Sequence, residues 1–260
     1  MKFRSAAVIA VAAGVLVATA ACSSGSGAGS GSGASGSSST PAASKAASAK
    51  TWTADELPPL LQTAAKQVGV TGTVLDNAQV QSKISSAGGA NGISSLLSQS
   101  GITISPASCK QIITDNLSTT PPAGTVNSML TYGSNAVFVT TEAGKSLPAS
   151  LTTDAQKKQE QALSECGSMK LSLTESGQTI SIPLTIKKVD VSTDADQTYA
   201  YQETVTLPAA AGGTSTAIEI VSAISGNLVI TSEAASGSTA TASAVSPAAI
   251  INAVIAASKK

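Results

Sequence analysis

The chain of 260 residues contains no histidine, and this absence excludes several kinds of active site. Acyl-transfer triads and dyads place a base, usually histidine, beside the nucleophile. A lysine can serve instead, but no Ser-x-x-Lys is present, and the nearest spacing, Thr63-Ala64-Ala65-Lys66, is predicted to be an exposed helix flank. Zinc sites need clusters of histidine and cysteine, and only three cysteines are available. We therefore expect a protein that is not an enzyme and that has no cofactor and no bound metal.

Charge and aromatic side chains are also scarce. Fifteen basic residues balance fifteen acidic ones, so the formal net charge is zero. Such a chain offers no electrostatic footprint for nucleic acid or for anionic lipid headgroups. Aromatic residues make up only 2% of the sequence, which argues against stacking platforms for bases. We expect no nucleic-acid partner and a core built from Val, Ile, Leu and Ala.

The N-terminal segment has the parts of a secretory signal. Lys2 and Arg4 supply the positive start, and an apolar run from Ala6 to Ala18 follows. Small residues then precede Cys22-Ser23-Ser24-Gly25, an order typical of a bacterial lipobox. The pattern predicts cleavage before Cys22 and lipidation of Cys22, with palmitate-type acyl chains that hold the protein stably on a membrane.

Two alternatives stand beside the lipobox. A transmembrane helix needs about 20 apolar residues, and this run is shorter and interrupted by Gly14. An ordinary signal peptide is the second alternative, because Thr19 occupies a position where lipoboxes usually carry Leu or Val.

The predicted organisation has three parts. Residues 1–21 form a lipoprotein signal peptide, residues 22–50 a lipidated cysteine with a disordered Ser/Gly/Ala tether, and residues 51–260 an extracytoplasmic domain. The mature protein is then secreted and lipid-anchored in the cell envelope, at the outer face of the cytoplasmic membrane. Cys109 and Cys166 remain as an even pair outside the cytoplasm, where disulfides persist, and we predict that they bond. A free catalytic thiol is the alternative, although it lacks a histidine to activate it.

The first half of this domain is predicted to contain several helices and one β-hairpin. Thr53 and Glu56 form a capping-box signature that opens a Leu-rich helix, and residues 71–93 read as loop or weak helix. The further predicted elements are a helix from near Ser105 to Leu117 with Pro106 at its first position, a hairpin of Thr125–Tyr132 and Ala136–Glu142, and a helix from Thr153 to Glu165.

The second half alternates as β-strand. Apolar alternation predicts four strands over residues 180–191, 199–207, 218–222 and 228–231, with a bulge at Lys187-Lys188 where the apolar parity changes. Ser246-Pro247 begins a final helix. Four strands joined by polar turns indicate an antiparallel meander. The expected fold class is α+β, an antiparallel β meander packed with several helices in a single disulfide-stapled domain.

Two polar groupings are candidates for a site. Tyr199, Tyr201 and Glu203 share one parity and could line a cleft, or they could form a solvent-facing row on a half-exposed sheet. Asp190 and Asp194 belong with Asp196 to the only carboxylate cluster, which lacks the Gly and distal Glu of a calcium loop. We interpret that cluster as a solvated turn.

The order of parts resembles a known family. The leader and tether, the Leu-rich helix, Ser105-Pro106-Ala107-Ser108-Cys109, Tyr132-Gly133, a helix ending at Cys166-Gly167, the meander and the closing helix follow one another. This order is similar to that of the extracellular sensor domain of PknH-type actinobacterial receptor kinases, a module also found in free-standing lipoproteins. The resemblance implies an α+β domain with a groove for a small ligand, and it matches Cys109 and Cys166 to one family disulfide. The second disulfide of the family and its tryptophan before the later cysteine have no counterpart here.

Three hypotheses for function follow. The first is a non-enzymatic ligand-binding or sensor-like lipoprotein, which takes an unknown small or apolar ligand. The second is a carrier of lipid or lipoglycan with an apolar cavity enclosed by the Val/Ile-rich strands. The third is a structural or adhesion protein of the cell envelope, without a pocket.

Overall fold

The computed structural model describes residues 50–86, 101–117, 123–147, 153–175, 178–209, 213–237 and 245–260. Within these ranges the protein has one antiparallel sheet of nine strands and five α-helices, which confirms the predicted α+β class. Cys22 and the predicted leader lie outside the described residues. The same is true of Ile93–Leu97, predicted to add a short helical turn, and of Pro121-Pro122, predicted to end the preceding helix.

The sheet places strands from both halves of the chain side by side. The strands are β1 (Thr73–Leu75), β2 (Ile102–Ser105), β3 (Thr125–Tyr132), β4 (Asn135–Glu142), β5 (Ser168–Glu175), β6 (Gln178–Lys188), β7 (Gln197–Thr206), β8 (Ser215–Ser225) and β9 (Leu228–Gly237). Their order across the sheet is β1-β3-β4-β9-β8-β7-β6-β5-β2. The consecutive strands β1 and β2 therefore lie on opposite edges, and the predicted meander β6 to β9 forms the centre.

Helices cover both faces of the sheet. They are α1 (Leu57–Gln67), α2 (Asn77–Ser86), α3 (Ala107–Leu117), α4 (Thr153–Cys166) and α5 (Pro247–Ser258). Among these described helices, none is both long enough and apolar enough to span a bilayer.

One face, which we call the α1/α5 face, carries the larger core. Helices α1 and α5 pack against each other and against β3, β8 and β9. Both helix starts agree with their sequence signals: the Glu56 carboxylate accepts from the Thr53 amide at 2.9 Å, and the Ser246 hydroxyl accepts from the Ala249 amide at 3.2 Å. The largest fully buried side chains of this core are Leu57, Leu61, Leu130, Leu228, Ile230, Ile250, Ile251 and Ile255.

The opposite face, which we call the α3/α4 face, has two separate covers. Helices α3 and α4 are joined by the disulfide Cys109–Cys166, with a Cα–Cα distance of 5.5 Å, which confirms the predicted pair. Both cysteines are buried against Met169, Leu184 and other apolar side chains of β5 and β6. Near the other edge, α2 packs with β1 and β3 in a small separate cluster.

The first described residues are fixed to the domain by several contacts. Trp52 is buried, and its carbonyl accepts from the Gly144 amide at 3.0 Å. The Lys50 carbonyl accepts from the Asn227 side-chain amide at 3.1 Å, and the Lys50 ammonium lies 3.8 Å from the centroid of the Trp52 ring. The chain therefore enters the domain beside the β8–β9 turn.

The predicted bulge at Lys187-Lys188 is wrong. The β6–β7 ladder continues without interruption through Ile186 opposite Glu203 and Lys188 opposite Tyr201. Ordinary alternation then points Val189 toward the α1/α5 face, where it packs against that core. The apolar positions change sides because Ile186 packs in the core beneath α3 and α4, whereas Val189 packs in the core beneath α1 and α5.

Three short-range predictions also need correction. The helix predicted from near Ser105 begins at Ala107 as α3, so Pro106 precedes it, and Ile102–Ser105 forms strand β2 just before it. Strand β1 lies inside the stretch predicted as loop or weak helix, and β5 was not predicted at all. Strands β1 and β2 pair with partners from elsewhere in the chain, so their local sequences contain only part of the signal. Strand β5 forms a hairpin with β6 and also pairs with the distant β2. The hairpin of β3 and β4 is confirmed.

Candidate functional site

The predicted row on β7 points to the α3/α4 face and is largely covered. Glu203 is 0% exposed, Tyr201 is 3% exposed, and Tyr199 is half-buried. Tyr201 packs with Ile186, Ile220 and other members of the core beneath α3 and α4. The alternative of a solvent-facing row is therefore wrong, since the disulfide-linked helices and their core lie on this side of the sheet. That the row lines a cleft stays a prediction.

The register brings a second glutamate to the same face. Tyr201 pairs with Ile220 on β8, and Ile220 pairs with Glu233 on β9. Glu203 lies one step further along β7, opposite Ile218. We call Tyr201, Glu203, Ile220 and Glu233 the glutamate row. The sequence prediction missed Glu233 because it ended the last strand at Thr231, whereas continued alternation to Gly237 places Glu233 on this face.

The carboxyl group of Glu203 is isolated. Both of its oxygens are buried and have no hydrogen-bond partner. Burial, with a smaller effect of the charge on Glu233, raises the pKa of Glu203 to about 8. Leaving a buried polar group unpaired costs on the order of 1–3 kcal/mol, and more when the group is charged. This carboxyl is therefore mostly protonated at neutral pH.

The pKa values of the other titratable residues in the row are raised as well. Glu233 is half-buried, and burial raises its pKa to about 7. Burial, and then the charges of Glu233 and Glu203, raise the pKa of the Tyr201 phenol well above its usual value. Titratable groups with perturbed pKa values concentrate at functional sites. The row thus has the electrostatic character of a binding site.

The surroundings of the row are apolar on one side and hydroxylic on the other. On β8, Ile218 and Ile220 lie between Glu203 of β7 and Glu233 of β9. One step along the sheet, the hydroxyls of Ser222 and Thr231 lie 3.0 Å apart. The Tyr199 hydroxyl donates to the Gln197 side chain, and burial followed by the charge of Glu160 raises the Tyr199 pKa. Tyr199 is thus engaged with its own strand, beside the row.

Among the residues that the structure describes, no positively charged side chain pairs with the row. Across the described residues, neither Glu203 nor Glu233 takes part in an ion pair. Lys188 is opposite Tyr201 in the ladder, but its side chain is exposed. The same part of the chain contains no group of three or more His, Cys, Asp or Glu side chains arranged to hold a metal. The arrangement suits hydrogen bonding or charge pairing with a ligand.

Two other polar features have a different character. The aspartates predicted as a solvated turn are exposed, and Asp196 accepts from the Gly226 amide at 2.8 Å, which ties the β6–β7 loop to the β8–β9 turn. The Asp194 amide donates to Asn252 of α5 at 2.8 Å. On the α1/α5 face, burial raises the pKa of the Tyr132 phenol, and the neighbouring buried hydroxyl of Ser232 partly offsets that rise. These hydroxyls are neutral, so their burial is less unfavourable than that of a carboxyl.

Comparisons with known proteins leave the family open. No protein-family model matches the chain, and no curated protein matches it. Among solved structures, an uncharacterised protein from Mycobacterium smegmatis is a distant neighbour with 14% identity and a TM-score of 0.38. The alignment covers 77% of this chain and 97% of that chain. At this distance the neighbour carries no argument about fold or function.

Proposed function

We propose that this protein is a surface lipoprotein whose extracytoplasmic domain binds a ligand at the glutamate row without chemical turnover. The observation that carries the proposal is the Glu203 carboxyl, fully buried with both oxygens unpaired. Buried polar groups in native proteins are nearly always hydrogen-bonded, so an orphan carboxyl points to a partner that binds it. The pKa values of Glu203 and Glu233, both raised chiefly by burial, support the same conclusion.

A purely structural role explains the row less well. Replacing a buried ionisable group by an apolar side chain of similar volume is often neutral or stabilising. Leucine at position 203 would extend the apolar core of Ile186, Val205 and Ile220 that surrounds it. A carboxyl here lowers stability and contributes no internal contact, which fits selection for binding.

Binding without turnover agrees with the chemistry of the row. A protonated Glu203 is a hydrogen-bond donor and acceptor, and Glu233 titrates close to neutral pH. The row contains no serine, threonine, cysteine or lysine that could act as a nucleophile beside a base. Ser222 and Thr231 lie one step away but bond to each other.

The domain is further proposed to be related to the PknH-type sensor domain. The α+β class, the disulfide between α3 and α4, and a closing helix after the meander support this relationship. In that family the groove takes a small ligand, which is consistent with a site built around the glutamate row.

The proposed anchor predicts the location of the protein. Cys22→Ala should move most of the protein from the membrane fraction to the soluble extracellular fraction, because the acyl chains supply the anchoring free energy. The measurement is quantitative immunoblotting of the two fractions. Ser23→Ala keeps the cysteine and should leave membrane retention unchanged. Full retention of the Cys22→Ala protein would contradict the anchor.

Ligand binding is tested by native mass spectrometry of the full-length protein, purified gently in mild detergent from a host with a complete cell envelope. We expect a bound mass of several hundred daltons or less that is lost in Glu203→Leu and kept in Glu219→Leu. Glu219 is a matched control because it lies on β8 but points to the opposite face. A protein that is empty in every preparation would oppose the proposal, and a bound acylated molecule would favour the lipid-carrier alternative.

A further inference from the structure

We infer that the ligand of the glutamate row is an organic cation, a primary ammonium group on an apolar or aromatic stem. This inference rests on the proposed function and names its ligand class. It follows from the charge, the number of oxygen-bearing side chains and the apolar surroundings of the row.

The row concentrates acidic groups without a counter-charge. Two carboxyl groups share one face of the sheet within two strands of each other, and each lacks an ionic partner among the described residues. Glu203 is fully buried and unpaired, so it is a built feature of the interior rather than part of a solvated acidic surface. A bound cation would stabilise the ionised form of the row and satisfy the orphan oxygens of Glu203.

The number of donors distinguishes an ammonium from a metal ion. Calcium takes six to eight oxygen ligands and magnesium about six. The row supplies two carboxyl groups and the phenol of Tyr201, and the described residues form no metal-binding group of three acidic or cysteine side chains. A primary ammonium has three donors and needs about three acceptor oxygens. The row supplies that number of oxygen-bearing side chains on one face of the sheet.

The surroundings distinguish an apolar amine from a hydrophilic one. Ile218 and Ile220 lie between the two glutamates, and Tyr201 supplies an aromatic ring in the same row. Apolar carbons of the ligand stem would pack on these side chains, and the ring face attracts a cation. Glu233 is half-buried and Glu203 fully buried, so the Glu233 end of the row is the one nearer to solvent.

Binding of an ammonium at the row should depend on pH, because it releases a proton. At mildly acidic pH both carboxyl groups are mostly protonated, since the pKa values are about 8 for Glu203 and about 7 for Glu233. Binding an ammonium ionises at least one of them and releases its proton to solvent. The other titratable groups near the row are Tyr199 and Tyr201 on β7, Lys188 on β6 and Glu160 on α4. On β8 the side chains that face the row do not titrate.

The experiment is isothermal titration calorimetry of the full-length protein with three matched probes, 2-phenylethylamine, 2-phenylethanol and phenylacetate. The amine should bind at least about tenfold more tightly than the other two at pH 7. Its affinity should rise by about tenfold per pH unit between about pH 5.5 and 6.5, because one proton is released per ligand. Buffers with different ionisation enthalpies measure that proton directly.

Variants assign the effect to the row. Glu203→Gln and Glu233→Gln should each weaken amine binding at least about tenfold and flatten its pH dependence, since an amide cannot become an anion. Glu233 is half-buried, so its variant tests the site with little change in the core. Glu219→Gln removes a carboxylate from the same sheet on the opposite face and should bind the amine like the unmodified protein.

The outcomes separate this inference from the proposed function. Equal binding of the amine and the alcohol, both lost in Glu203→Gln, would overturn the cationic ligand and retain the binding site. No binding of the amine at millimolar concentration would also overturn the cationic class, while the native mass measurement on the purified protein decides the proposed function independently.

Discussion

Glu203→Gln should raise the free energy of unfolding at about pH 9 by on the order of 4 kcal/mol and leave it nearly unchanged at about pH 4. Burial, with a smaller effect of Glu233, raises the pKa of Glu203 in the folded protein to about 8, above its value in the unfolded chain. The folded state then holds a proton that the unfolded state has lost, so stability falls as the pH rises from the unfolded pKa through about 8. Glutamine cannot ionise and abolishes this loss.

The measurement is urea unfolding of ligand-free protein at a series of pH values between about 4 and 9. The unmodified protein should lose stability across this range, and the Glu203→Gln protein should lose much less of it. The part that remains comes partly from Glu233, whose pKa is also raised by burial, to about 7. Glu219→Gln, on the other face, is the control. Parallel pH curves for the unmodified and Glu203→Gln proteins would show that Glu203 is not held protonated by burial.

Removing the disulfide should lower the free energy of unfolding by about as much as Glu203→Gln raises it at about pH 9. The bond closes a loop with a sequence separation of 57 residues, and the chain-entropy model gives about 4 kcal/mol for a loop of that size. The double variant Cys109→Ala and Cys166→Ala loses this restraint on the unfolded chain. It also loses two buried sulfur atoms from the core beneath α3 and α4. We expect a lower urea midpoint, measured beside the unmodified protein with and without reductant.

Reductant provides the internal control for that prediction. It should lower the stability of the unmodified protein toward that of the double variant and leave the double variant unaffected. Loss of the disulfide should also loosen α3 and α4 over the sheet and admit water to Glu203. The pKa of Glu203 in the folded protein should then be lower, and stability should fall at a lower pH. Equal stability of the oxidised and reduced proteins would refute a structural role for the bond.

Local signals predicted the elements whose information lies within their own residues. The capping box of Thr53 and Glu56, the Ser246 cap and the tight hairpin between β3 and β4 are all present. Strands β1 and β2 were missed or misassigned because each is only three or four residues long and is stabilised by pairing with a distant strand. No local pattern records such a pairing.

The candidate site shows the same division. Alternation along β7 grouped Tyr201 with Glu203 correctly, but it could not tell a covered face from an open one. The cover comes from α3 and α4, which the chain brings there through the Cys109–Cys166 bond and the β2–β5 pairing. Glu233 joins the row only through the register of β8 with β9, which depends on where the last strand ends.

The pairing of early and late segments also determines how the chain can fold. Strand β4 pairs with β9, about a hundred residues further along, and α1 packs on α5, further still. The apolar side chains of α1, such as Leu57 and Leu61, therefore lack part of the surface that buries them until the last helix has formed. High contact order of this kind slows folding and prolongs the exposure of apolar side chains. A growing chain therefore leaves the apolar side chains of α1 without their full partner surface until α5 has been synthesised.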